Sequence, residues 1–125
     1  MSRIPLTLYH ITNYKAASAI IDNGFLDPKK SQGRTNAVWL VSRSKVTWAI
    51  AHICHRHQWE IKDIAIMIVK RGRHKLLETN HNGIYICRNR IAITEMTSAQ
   101  MWLSREHGYV HINLKGGSRR VLYED

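Results

Sequence analysis

The residues able to do chemistry are histidines, tryptophans and a large excess of cations, and their spacing sorts the reactions they could support. The stretch His52-Ile53-Cys54-His55-Arg56-His57 concentrates metal-ligating types. On a helix, His52 and His55 share one face while Cys54 and His57 share another. A single helix therefore cannot turn all four inward at tetrahedral geometry, and Arg56 among them opposes a cation. No metal is expected. The stretch reads as a helix with a buried cysteine and surface histidines able to touch phosphate. Cys54 and Cys87 are the two cysteines. No local context marks either as an activated nucleophile, and both are expected as free, buried thiols. Seven of the nine acids stand singly along the chain and Glu124-Asp125 adjoin at its end, with only Glu78 and Glu95 near strand ends in the second half. That distribution gives no support to hydrolysis by paired carboxylates. Standard phosphate-loop, dinucleotide and zinc spacings are absent from the sequence.

Charge points to the partner. Nineteen Lys and Arg face nine Asp and Glu, a formal charge of +10 with a pI near 10.1. Such an excess attracts polyanions, with nucleic acid first, then nucleotides or anionic lipid. Lys70, Arg71, Arg73 and Lys75 form one basic turn, and Arg88 and Arg90 form another, with Glu78 the only acid between them. These six are expected to make a continuous positive rim that contacts nucleic-acid phosphates.

His10 is the histidine of most interest. In Leu6–Ile11 the alternation of a strand places His10 on the same face as Leu6 and Leu8, which points inward. An inward imidazole needs partners. It serves either as a satisfied core histidine or as a ligand-binding group.

The elements that must position these residues follow from pattern. Thr12 or Asn13 can cap a helix carrying Ala16, Ala17, Ile20 and Ile21, which Gly24 ends. Residues 27–36 (DPKKSQGRTN) read as a polar loop, and Ala37–Val41 as a second strand. The next helix has an apolar stripe of Val46, Ala49, Ile50, Ile53 and Cys54. Its second stripe, Trp48, His52, His55 and Trp59, has something else to contact. Asp63–Val69 is apolar on both faces and reads as a central strand. Strands are expected near Leu76–Leu77, Ile84–Cys87 and Ile91–Thr94. A short helix is expected over Thr97–Ser104, then a hairpin of Tyr109–Leu114 and Arg119–Tyr123. The order predicts an α+β fold, with two early helices against a largely antiparallel sheet.

Three blocks in order carry a family resemblance. Leu8-Tyr9-His10-Ile11-Thr12 with Asn23-Gly24-Phe25-Leu26 is similar to the opening of ADP-ribosyltransferase-fold enzymes. Ala37-Val38-Trp39-Leu40-Val41-Ser42-Arg43-Ser44 resembles the aromatic-bearing strand that precedes their second helix. Asn82–Cys87 with Arg90–Ile93 resembles the late strand of KptA-type RNA 2′-phosphotransferases and DarT-type DNA ADP-ribosyltransferases. Together the blocks span roughly residues 6 to 95.

The resemblance implies two small antiparallel sheets around a cleft that binds NAD. His10 and Thr12 would hold the nicotinamide-side ribose or a nearby phosphate. Trp39 would stack on the nicotinamide, and Arg34 would grip phosphate. The family's usual glutamate falls in register with Gly83. The implied catalytic carboxylate is then Glu95 or Glu78, one of which would point into the His10 cleft. The reading that follows is a compact NAD-dependent transferase acting on a nucleic acid or nucleotide. Its rivals are a binding module of the same fold without turnover, and an unrelated small basic nucleic-acid binder.

Composition bounds all three. At 125 residues the chain is expected to form one domain, residues 1–125, with a modest single core. Only 2 Pro, 7 Gly and 2 Cys exclude collagen, low-complexity disorder and a disulfide scaffold. No apolar run approaches the roughly 20 residues of a membrane span, and the first residues carry no apolar signal region. A cytoplasmic protein without membrane contact is the expectation.

Overall fold

A computed structural model describes residues 4–30, 36–79, 81–104 and 108–123. The first strand, β1 (Thr7–Asn13), runs directly into helix α1 (Tyr14–Asn23). Asn13 caps that helix by accepting a hydrogen bond from the Ala16 N–H at 2.7 Å. At the other end Gly24 adopts φ 90° and donates its N–H to the Ile20 carbonyl. Only a residue without a Cβ takes that left-handed cap at no cost. The turn leads into β2 (Phe25–Leu26), a 3-10 turn at Pro28–Lys30, and β3 (Val38–Val41). Helix α2 (Val46–His57) follows, with Arg56 in its last turn, where the helix dipole favours a cation.

The rest is mostly strand: β4 (Ile64–Lys70), β5 (Leu77–Glu78), β6 (Ile84–Cys87), β7 (Ile91–Ala92), β8 (Met96–Ser104), β9 (Gly108–Asn113) and β10 (Arg120–Tyr123). Eight strands form one antiparallel sheet in the order β10-β9-β8-β4-β1-β3-β6-β5, while β2 and β7 pair separately. The architecture is α+β, as its pattern predicts, but the sheet is one large body rather than two small sheets.

A second correction concerns Met96–Ser104, which is a strand and not a short helix. It pairs with β4 from Ala65↔Met101 to Val69↔Met96. Central β4, apolar on both faces, needs a neighbour on each edge. That tertiary demand overrides the helix-forming Ala, Gln, Met and Leu of the segment.

The sheet separates two clusters of buried side chains. On the α1 face, Leu8, Leu40, Met67, Ile91, Met96 and Leu114 are sealed completely or almost so. On the α2 face a smaller cluster of Ile11, Val41, Ala49, Ile64 and Ile84 is completed by half-buried Tyr9, Ile50, Ile53 and Trp59. Leu6 stands outside the strand and is exposed, so the inward face of β1 begins at Leu8.

Candidate functional site

The site begins where the sheet parts. β1 pairs with β4 along its whole length, Thr7↔Lys70 to Asn13↔Ile64, but with β3 only at Tyr9↔Val41. Beyond that bridge β1 and β3 no longer form a ladder. The Trp39 carbonyl accepts a hydrogen bond from His10 Nδ1 at 3.0 Å. A carbonyl can only accept, so Nδ1 carries the proton and Nε2 is left as an acceptor in the neutral ring. Burial pushes the His10 pKa below its ordinary value of 6.5, and the Trp39 hydrogen bond opposes that only in part. The ring is therefore neutral at pH 7.

The parting opens a cleft of about 690 Å³. That lies within the ordinary range for small-molecule sites, about 300–1,000 Å³. His10, Thr12 and Trp39 all line it. Strand alternation sends His10 to the Leu8 face and Trp39 to the Val41 face, and both line the one cavity that opens where the strands part. Trp39 is 42% exposed. One flank of the cleft comes from α1, where Ala16 and Ala19 leave room, and from Phe25 and Asp27 after it. The other flank is α2, through Trp48, His52, Ile53, Arg56 and His57.

Asp27 is the one acid lining the cleft among the described residues, against Lys30, Arg56 and four histidines. Its side chain is 13% exposed and lies 4.0 Å from Arg90 Nη2. Its Oδ1 accepts the Lys29 N–H at 3.0 Å. The Arg90 guanidinium also sits 4.4 Å above the Phe25 ring, a cation–π contact at the cleft edge.

The expected carboxylates are elsewhere. Neither Glu78 nor Glu95 lines the cleft. Glu78 lies exposed on edge strand β5, opposite Tyr85. Glu95 ends a 3-10 turn after β7 and pairs with His74 Nε2. Gly83 adopts φ 81°, and a Cβ there would lie 2.6 Å from Ser42 Oγ and 2.9 Å from Lys45 Cγ. No side chain fits at that position.

The cations of the expected positive rim fall at two strand ends, Lys70 where β4 finishes and Lys75 with Arg88 where β5 begins beside the end of β6. β4 and β6 are separated by β1 and β3, and their C-terminal ends point opposite ways. Lys70 pairs with Thr7 at the start of β1, whereas Cys87, just before Arg88, pairs with Val38 at the start of β3. Arg71 is engaged at its own end, donating Nη1 to the Ile4 carbonyl at 2.7 Å. Lys70, Arg73, Lys75 and Arg88 are exposed. Of the six, Arg90 alone reaches the cleft edge. Arg34 lies outside the described residues.

Both cysteines are free thiols. Cys87 is sealed in the α1-face core, where burial raises its pKa and its Sγ–H donates to the Asn89 carbonyl at 3.5 Å. It is unsuited to act as a nucleophile. Among the described residues no three His, Cys, Asp or Glu side chains gather as a metal site. No described helix is long and apolar enough to cross a membrane.

No family profile and no curated protein matches this chain. Its fold is similar to the solved structure of protein CC0527 from Caulobacter crescentus, at a TM-score of 0.57 and 11% identity over 90% of this chain and 93% of that one. A double mutant of the same protein gives a TM-score of 0.58 at 10% identity. At such identities the likeness establishes shared architecture alone.

Asp27 is the cleft-lining residue hardest to see in sequence. Its only local signal is an acid between the apolar pair Phe25-Leu26 and Pro28. Its partner Arg90 lies far along the chain.

Proposed function

We propose that the cleft between β1 and β3 binds a nucleotide of ADP-ribose type, with NAD the first candidate. The observation that carries this reading is the His10 bridge: a neutral imidazole spans a parted sheet beside an exposed indole. These two groups lie on the sequence blocks that resemble ADP-ribosyltransferase-fold enzymes. His10 Nε2 can accept from a ribose hydroxyl, and Trp39 offers a stacking face for a planar ring. Lys30 supplies positive charge on the wall for a pyrophosphate.

Recognition without turnover is the form of this reading that the carboxylates favour. Breaking the nicotinamide–ribose bond builds positive charge on the ribose, which a placed anion stabilises. Glu78 and Glu95 do not line the cleft, and Gly83 has no room for a side chain. Asp27 supports a second reading, a transferase in which this carboxylate supplies the missing charge, because it alone among the described acids lines the cleft.

Calorimetric titration with NAD, followed by assay for free nicotinamide, separates the two. Saturable binding with no nicotinamide release is the expected result. Release that Asp27→Asn abolishes would favour the transferase. An absence of saturable binding by both NAD and ADP-ribose would contradict both readings.

A further inference from the structure

We propose that the outer face of α2 is a track for single-stranded nucleic acid, with Trp48 and His52 as base-stacking platforms and Arg56 as a phosphate contact. The three residues stand at i, i+4 and i+8, so one straight stripe of the helix carries ring, ring and guanidinium. All three are exposed, and all three line the cleft. The Trp48 and His52 rings are already stacked, with centroids 5.1 Å apart and planes 10° from parallel. A second pair, His57 and Trp59, stacks at 4.6 Å and 24° where the helix ends.

A 46% exposed tryptophan gives up apolar burial, and here it faces water beside a cation rather than packing into the α2 cluster. Helix α2 contains no acid, and among the described residues no carboxylate pairs with Arg56. From residue 48 to residue 56 the stripe is ~12 Å long, about three steps at a nucleic-acid strand's 3.4 Å spacing. Flat rings with interleaved cations are the chemistry that holds unpaired bases and their phosphates. A duplex hides its base faces and could use only the cations. An acidic peptide would leave the stacked rings without a partner. The net charge of +10 draws a polyanion toward this face.

The track rests on the cleft being a ligand site, since its residues form one wall, but not on which nucleotide fills the space beside His10. The test is fluorescence anisotropy with labelled oligonucleotides of about eight nucleotides, single-stranded DNA, single-stranded RNA and the matching duplex, across a salt series. Single strands of either sugar are expected to bind more tightly than the duplex. Trp48→Ala is expected to weaken single-strand binding about tenfold with little change in salt dependence, and Trp48→Phe to retain most of it. Arg56→Ala is expected to make the salt slope shallower by about 0.7. Duplex binding as tight as single-strand binding, or a Trp48→Ala variant that binds like the wild type, would overturn the track. Oligonucleotide binding that persists while NAD and ADP-ribose both fail would overturn the nucleotide reading and leave the track standing.

Discussion

The two faces of one sheet are built to different standards. On the α1 face, β1, β4 and β8 contribute Leu8, Met67, Val69, Met96 and Ala99, all sealed from water. Helix α1, carefully capped at both ends, and the β2–β7 pair close over them. Among the described residues the α2-face cluster seals five, and its helix has no side-chain cap at its start. Of its half-buried apolar groups, Tyr9, Ile53 and Trp59 line the cavity. Dense packing and full hydrogen bonding fix a structure, whereas a ligand site needs exposed rings, unpaired charge and an interrupted ladder. The α1 face is packed the more tightly, and the cleft lies where the strands part, with α1 and α2 each supplying one flank.

The largest expected effect sharpens that division directly. Met67→Ala on the sealed face is expected to cost about 2–5 kcal/mol, and Ile53→Ala on the cleft face about 1–2 kcal/mol, by chemical denaturation. Equal losses would show that the faces do not differ in packing. Next comes Gly83→Ala. It combines a left-handed φ with a Cβ driven into Ser42 and Lys45, and is expected to cost about 2–4 kcal/mol. A neutral result would mean that the start of β6 can move, reopening that position to a side chain.

A smaller effect depends on pH. The folded state holds His10 below its ordinary value of 6.5, so the unfolded chain takes up the proton first as pH falls. The His10 contribution to stability is therefore complete above about pH 6.5 and is lost progressively below it, down to the folded-state value. Urea melts across this window are expected to show a steeper acid loss for the wild type than for His10→Gln. Identical slopes would mean that the ring is not held neutral by burial. Smallest of all, Trp48→Ala is expected to change stability by no more than about 0.5 kcal/mol, because the ring is exposed. A large loss would make Trp48 a packing residue and blur the contrast between the faces.

Much of this division was legible in the sequence, and the reason is local. The Asn13 and Gly24 caps, the alternation through β1, and the doubly apolar β4 are each set by neighbours a few residues away. So are the two stripes of α2, one now in the small cluster and most of the other on the cleft wall. His55 is the exception, exposed but off that wall. What could not be read depended on distant partners. β8 is a strand because β4 requires one. Asp27 enters the site beside Arg90, and Glu95 is diverted from it by His74. Where the basic residues of the rim fall depends on strand order, which inserts β1 and β3 between β4 and β6, a fact no spacing contains.

The central claim is that the parted strands around His10 form a nucleotide site. Calorimetric titration of NAD into the wild type and into His10→Gln, both checked for an intact thermal transition, tests it most directly. The account predicts saturable heat with the wild type and at least a tenfold loss of affinity in His10→Gln, the penalty of about 1.4 kcal/mol or more expected for losing one buried hydrogen-bonding group. Equal affinity in the two proteins, or no heat from the wild type with either NAD or ADP-ribose, would contradict it.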